Sequence, residues 1–292
     1  MKTLFSEKPL EILRPTDWTL PVVLSSPHSG RQYPAPFTRL SRLDINTLRQ
    51  SEDFLVDELF SSAPSLGAPL IKATFPRVYC DVNRQPFELD PDMYRDTLPD
   101  YVTTRSVRLS AGIGTIPKVV TAGKIIHARP LAFSDAEARL ANCYFPYHHH
   151  LKGLLEEGLN RFGAILLLDC HSMPGQSGNR TNGARLPDMV IGDRFGASCA
   201  PHVSRMIGRT LKQAGYSVRF NAPYAGGYIT RHYGSLTPAI SAVQIEINRD
   251  LYMCPRRLSP IPGMDRLKSD LSALIATVGA QLDQAAPRRQ AV

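Results

Sequence analysis

The feature that most constrains the fold is a short apolar run that ends abruptly in polar residues. Residues 164–168 read AILLL, and Asp169, Cys170 and His171 follow at once. A short run of this kind, directly after a helix-ending Gly163, predicts a buried strand. The polar residues behind it fit either a core strand that happens to end there or a binding site at the sheet edge.

Helices and short apolar strands alternate along the chain. This order predicts an α/β fold with a mostly parallel sheet covered on both faces. Residues 85–130 are rich in Pro, Asp and Gly, and we expect an irregular excursion that acts as a lid. We expect one domain over residues 1–292. The predicted strands are 20–24, 68–76, 164–170, 216–221 and 241–248, and the predicted helices are 44–63, 134–163, 196–215 and 262–283.

Two helices have recognisable starts. Asp44 is a candidate cap for a single helix with an acidic middle. Ser134 and Glu137 have the spacing of a capping box, and Pro146 should disturb the long helix that follows.

Composition narrows the function classes. The 292 residues have a formal net charge of +8, but no nucleic-acid reading motif is present, so we expect no nucleic-acid partner. An anionic substrate explains the charge equally well through electrostatic steering. No apolar run reaches the ~20 residues of a membrane helix, and the first residues lack a signal-peptide core, so we expect a cytoplasmic protein without membrane association. Five scattered cysteines argue against disulfides and against a thiolate zinc site.

Three strand ends offer residues that bind metals or protons. His28 follows the first strand, Asp169 and His171 follow the third, and Glu246 lies in the alternating segment VQIEIN. Ligands bind at the carboxyl ends of parallel strands. Two histidines and one carboxylate would form a mononuclear zinc site with an open position, and a second carboxylate would serve as general base. Each residue alone is more often a satisfied polar group.

Glu246 has two interpretations. On a strand with one wet face, it would simply point to solvent. Under helices on both faces, burial would raise its pKa toward the range of a general base.

Two further segments suggest substrate binding. RVYCDVNRQP contains Arg77, Asp81, Asn83 and Arg84, which form either a surface ion-pair network or a guanidinium site for a carboxylate. NAPYAGGYITRHYG combines a Gly-Gly loop with tyrosines, Arg231 and His232, and it is typical of a substrate clamp.

The ordered set of segments resembles the N-formylglutamate amidohydrolase (deformylase) family. The segments are PHSG, EDFLVDELF, FPRVYCDVNRQP, LLLDCHSMPG, LPDMVIGDRFGASC, NAPYAGGYITRHYG and VQIEINRDLYM, from about residue 22 to 253. The resemblance implies a twisted mixed sheet between helices, similar to zinc carboxypeptidases and aspartoacylases. Within the same resemblance, the segment GIGTIPKVV is similar to the family's glycine-rich active-site loop.

The resemblance further implies roles for individual residues. One Zn²⁺ per chain would be bound by His28, His171 and a carboxylate of the 52–53 pair, for which Asp53 is preferred over Glu52. The carboxypeptidase HxxE pattern is absent, since Arg31 stands at the fourth place. Glu246 would be the general base. Asn83, Arg84, Arg231 and His232 would bind the carboxylates of the substrate.

The implied reaction is hydrolysis of N-formyl-L-glutamate, or of a close N-acyl amino acid, to formate and glutamate within amino-acid (histidine) degradation. The small anionic substrate is the expected partner, and the oligomeric state stays open. Two alternatives remain: a zinc peptidase-like hydrolase of another amide, and a basic binding module without turnover.

Overall fold

The computed structural model describes residues 8–120, 123–175 and 186–285. The strands are β1 Leu10–Leu13, β2 Val22–Ser26, β3 Leu70–Ala73, β4 Val119–Val120, β5 Lys124–Ile125, β6 Ile165–Met173, β7 Met189–Gly192, β8 Val218–Phe220, β9 Ile240–Asn248, β10 Met253–Cys254 and β11 Ser259–Pro260. The α-helices are α1 Ala35–Leu40, α2 Ile45–Arg49, α3 Val56–Leu59, α4 Val107–Ser110, α5 Phe133–Arg139, α6 Phe145–Phe162, α7 Pro201–Gln213, α8 Tyr228–Gly234 and α9 Gly263–Ala285.

The chain divides into two compact units, and each consists of three segments. One unit contains Met1–Glu11, Pro27–Asp53 and Lys72–His150, and the other contains Ile12–Ser26, Phe54–Ile71 and Leu151–Val292. Most of the 85–130 excursion is irregular, with α4 and the β4–β5 ribbon as its main elements. Its role as a lid and the single domain over 1–292 stay predictions.

The large sheet has seven strands in the order β1-β3-β2-β6-β9-β7-β8. Strands β2, β6 and β9 are parallel to one another, and β7 is antiparallel to β9. A mixed, mostly parallel sheet flanked by helices confirms the predicted α/β fold. No helix in the described part of the chain is long and apolar enough to cross a membrane. The five cysteines are free thiols, as predicted.

The register of β6 against β9 separates an apolar face from a polar one. Cys170 pairs with Ile245, while Asp169 pairs with Gln244 and His171 with Glu246. Paired residues of neighbouring strands share a face of the sheet. The apolar face joins a core that includes side chains from α3, α7 and α9, so truncating a leucine there to alanine should cost about 2–5 kcal/mol. The polar face lies on the side of α8, because the Gly227 N–H before α8 donates to Gln244.

Strand β6 is longer than predicted. It continues through Asp169, Cys170 and His171 to Met173, and all nine of its residues are buried. His171 is therefore part of the strand and does not follow its end. The pairing with β9 extends to Met173↔Asn248, which explains why the strand continues past the leucines.

Two helix predictions are wrong in detail. The helix over 44–63 is broken after α2, although Asp44 caps α2 as expected by accepting from the Thr47 N–H. The capping box of Ser134 and Glu137 is absent; helix α5 starts at Phe133, and its N-cap is Ala132, whose N–H donates to the Asp135 carboxylate. The disturbance near Pro146 is a π-helical turn over Leu140–Tyr144. Proline has no N–H to continue regular α-helical bonding, which fits an irregular turn just before it.

Candidate metal centre

The polar face of β6 holds one half of the candidate site. The Nε2 atom of His171 lies 2.9 Å from Oδ2 of Asp169. The other oxygen of Asp169 accepts a 3.0 Å hydrogen bond from the Ser25 hydroxyl on β2. Both Asp169 and His171 are buried. Since Nε2 faces the carboxylate, Nδ1 is the His171 nitrogen that would bind a metal.

His28 has a matching arrangement two residues after β2. Its Nε2 atom lies 2.7 Å from Oδ1 of Asp81, and its Nδ1 atom lies 3.4 Å from Oδ2 of Asp53. A carboxylate on one ring nitrogen fixes the orientation of the imidazole and directs the other nitrogen toward a metal. In both His28 and His171, a carboxylate contacts Nε2, so Nδ1 is the candidate ligand atom.

Asp81 is a buried functional candidate whose role the sequence did not resolve. Its carboxylate accepts from Arg77 Nη2 at 2.7 Å and from the Asn83 N–H at 2.9 Å, besides its contact with His28. Burial disfavours the charged form, but His28, Arg77 and Arg84 hold the pKa of Asp81 well below its usual range. The surface ion-pair interpretation of this segment is wrong for Asp81. The one available signal was its place between two apolar residues, Cys80 and Val82.

Asp53 lies in the break between α2 and α3. Its N–H donates to the His28 carbonyl at 3.1 Å, and its own carbonyl accepts from the Ser29 hydroxyl at 3.0 Å. Leu55 then adopts a left-handed conformation with φ of 54°, which ends any continuous helix. The loss of helical geometry is what brings Asp53 to His28.

Glu52 points to different partners. Its carboxylate accepts from the Tyr33 hydroxyl at 2.8 Å and from Arg49 Nε at 3.1 Å. Burial raises the pKa of Glu52, although both partners favour its charged form. These contacts separate the two candidates for the third ligand, and only Asp53 belongs to the cluster described next.

His28, Asp53 and His171 form a cluster that could hold a metal ion. One ligand atom from each residue lies within 4.8 Å of the others, and all three side chains are buried. Zinc prefers imidazole nitrogen and carboxylate oxygen at roughly 2.0–2.1 Å, which separates two tetrahedral ligands by about 3.3 Å. The 3.4 Å between His28 Nδ1 and Asp53 Oδ2 agrees with that spacing. The donor set fits a zinc ion with an open coordination position.

Glu246 lies in β9 opposite His171. Its side chain is buried, so of the two interpretations the one in which Glu246 points to solvent does not hold. Gln244 donates to Oε1 of Glu246 at 2.8 Å.

Asn83 and Arg84 directly follow Asp81 and its neighbour Val82. Arg84 donates from Nε to the Ile113 carbonyl and from Nη1 to the Asn83 carbonyl, both at 2.9 Å. Burial lowers the pKa of Arg84. Ile113 belongs to the glycine-rich segment, and a Cβ on Gly114 would lie only 2.4 Å from the Glu88 carbonyl oxygen. Arg84 thus anchors a tightly packed loop, and the binding of a substrate carboxylate by Asn83 and Arg84 stays a prediction.

Arg231 and His232 lie on α8. The His232 ring stacks on Tyr228 at a centroid distance of 5.1 Å, and the Arg231 guanidinium carbon lies 5.6 Å from the same ring. Burial, together with the charges of Arg231 and Lys152, lowers the pKa of His232. The two side chains are neighbours on one helix, and their role in binding the substrate carboxylates stays a prediction.

Known proteins resemble the chain over most of its length. The N-formylglutamate amidohydrolase family matches residues 20–253. The N-formylglutamate deformylase of Pseudomonas putida is 32% identical over 237 residues, or 80% of this chain and 82% of the relative. The deformylase of Pseudomonas aeruginosa is 30% identical with the same coverage.

Solved structures give a consistent result. The crystal structure of N-formylglutamate amidohydrolase from Ralstonia eutropha JMP134 superposes with a TM-score of 0.89 at 33% identity, covering 96% of this chain and 100% of that one. A gene product of Agrobacterium tumefaciens has the same fold at 17% identity, with a TM-score of 0.68 and 94% coverage of both chains.

The sheet and the His28–Asp53–His171 cluster define an α/β protein with a candidate mononuclear metal centre. Its relatives place it among hydrolases that act on linear amide bonds. The chain belongs to the N-formylglutamate amidohydrolase family.

Proposed function

We propose that the chain hydrolyses N-formyl-L-glutamate to formate and glutamate with one zinc ion per chain. The observation that carries this proposal is the buried cluster of two imidazoles and one carboxylate in a chain of this family. The Pseudomonas relatives, which are N-formylglutamate deformylases, support the substrate. Action in the cytoplasm and in histidine catabolism belongs to the same proposal.

In this proposal His28, Asp53 and His171 hold the zinc ion. When bound, zinc would act as a Lewis acid for the formyl carbonyl and would lower the pKa of a water molecule to about 7. Asp81 and Asp169 fix the tautomers of the two histidines through their contacts at 2.7 and 2.9 Å. The two ligand imidazoles are therefore oriented before the metal binds.

Glu246 is the proposed general base. It accepts a proton from water on a carboxylate oxygen as the water oxygen attacks the formyl carbon. As the C–N bond breaks, Glu246 returns the proton to the departing amine, and formate and glutamate leave. Burial of Glu246 supports this role, because proton transfer is then confined to the reacting groups.

The substrate carries two carboxylates, and the proposed partners for them are Arg84 and Arg231. Asn83 and His232 add polar groups beside these guanidinium ions. Bidentate pairing of guanidinium with carboxylate gives orientation as well as affinity. The positive net charge of +8 supports attraction of a dianion.

The test is formate release from N-formyl-L-glutamate by zinc-loaded wild type, with a panel of other N-acyl amino acids and short peptides. We expect turnover that is lost after zinc removal and restored by zinc. Glu246→Gln should bind zinc normally and lose at least about 100-fold in kcat, the range for an acid–base residue. Preferred cleavage of peptides would favour a peptidase-like hydrolase, and substrate binding without turnover would favour a binding module. Either result refutes the proposal.

A further inference from the structure

Gln244 connects the proposed general base to the loop ahead of α8. Its Nε2 donates to Oε1 of Glu246 at 2.8 Å, and its Oε1 accepts from the Gly227 N–H at 2.8 Å. The Gln244 side chain is 5% exposed. A buried amide bonded at both ends has its orientation fixed by its partners.

The direction of these bonds is determined by chemistry. A backbone N–H can only donate, so the amide oxygen of Gln244 must face Gly227. The amide nitrogen then faces Glu246 and can only donate to it. Such a bond favours the charged carboxylate and restricts its rotation.

The Gly227 end of this connection is held firmly. Gly226 has φ of 118°, which few residues other than glycine adopt. A Cβ on Gly192 of β7 would lie 2.7 Å from the Ala225 carbonyl carbon, so the loop packs directly against the strand backbone. Gly227 immediately precedes α8, the helix that holds Arg231 and His232.

We propose that Gln244 is a positioning residue that orients Glu246 and couples it to the loop before α8. The inference rests on the proposed function, in which Glu246 is the base. Gln244 touches neither substrate nor metal in this role. Through two hydrogen bonds, it fixes the position of the Glu246 carboxylate relative to the loop before α8.

The test is Gln244→Met, which keeps the length of the side chain and removes both hydrogen bonds. We expect kcat for N-formyl-L-glutamate to fall by about 10–100-fold, as for other residues that orient a reactive group. KM should stay within about threefold, and the bound zinc per chain should not change. Gln244→Asn, one methylene shorter, provides a second variant that cannot bridge both partners, in case the methionine variant does not fold.

A double-mutant cycle separates positioning from a structural role. If Gln244 acts through Glu246, adding Gln244→Met to Glu246→Gln should change the residual rate by less than about threefold. An equal loss in both backgrounds, or full activity in folded Gln244→Met, overturns the role of Gln244. Absence of formate release by zinc-loaded wild type overturns the proposed function itself, and the role of Gln244 falls with it.

Discussion

Asp169→Asn tests how the metal centre is built. The carboxylate of Asp169 lies 2.9 Å from Nε2 of His171 and is held by the Ser25 hydroxyl at 3.0 Å. Asparagine has the same shape, and its amide oxygen can still accept from Ser25. Its NH₂ group would then face Nε2, which must become an acceptor. The His171 proton would move to Nδ1, the nitrogen proposed to bind zinc.

The expected magnitude follows from this tautomer change. Loss of a carboxylate partner of a metal-binding histidine lowers metal affinity by about 10–100-fold, which corresponds to about 1.4–2.7 kcal/mol. The assay is zinc affinity by competition with a chromogenic chelator, with thermal unfolding of the zinc-free protein as the check on folding. Ser25→Ala is the matched control, since it removes one bond to Asp169 and leaves the carboxylate; we expect less than a threefold change. Wild-type zinc affinity in a folded Asp169→Asn variant would refute the reasoning.

Three further predictions concern the ligands, the substrate arginines and pH. Asp53→Asn should weaken zinc binding at least about tenfold while Glu52→Gln changes it little, because Glu52 is bound to Tyr33 and Arg49; equal losses in a chelator competition would contradict the ligand assignment. Arg84→Lys and Arg231→Lys should each raise KM for N-formyl-L-glutamate about tenfold or more, since lysine cannot pair bidentately with a carboxylate; unchanged steady-state KM values would remove both arginines from the substrate site. Burial, reinforced by the charge of Arg139, lowers the pKa of His127 to about 4. The unfolded chain therefore binds this proton more readily than the folded one, so the free energy of unfolding is full above pH 6.5 and falls as pH drops toward 4. His127→Gln should lose less free energy of unfolding between pH 7 and 5 than the wild type does, as measured by urea unfolding.

The strands and the chemistry at their ends could be predicted well from the sequence. Apolar runs are local signals, and parallel strands place their carboxyl ends at one edge. His28, His171 and Glu246 could therefore be selected without any contact information. The apolar run places the end of β6 too early. His171 is a polar residue that faces a polar neighbour inside the strand, so the run stops before the strand does.

Asp53 and Asp81 show where sequence reasoning stops. The helical periodicity over 44–63 runs straight through Asp53, and only the family resemblance pointed to it. The break depends on a left-handed Leu55, a conformation that leucine rarely adopts and that surrounding packing must impose. Asp81 meets His28 across 53 residues of chain, and no local pattern reports such a contact.

The π-helical turn over Leu140–Tyr144 determines how a one-residue deletion would affect α6, the helix that follows it. It is equivalent to one additional residue in an α-helix, and each residue advances an α-helix by about 100°. At the last residue of this turn, the Tyr144 hydroxyl donates to the Arg84 carbonyl, and in α6 the His148 Nε2 atom contacts the Val82 carbonyl, both at 2.8 Å. Deleting one residue of the turn would restore regular α-helical pitch and rotate the part of the helix after the turn relative to the part before it. The one additional residue therefore determines which side of α6 faces the backbone around Asn83 and Arg84.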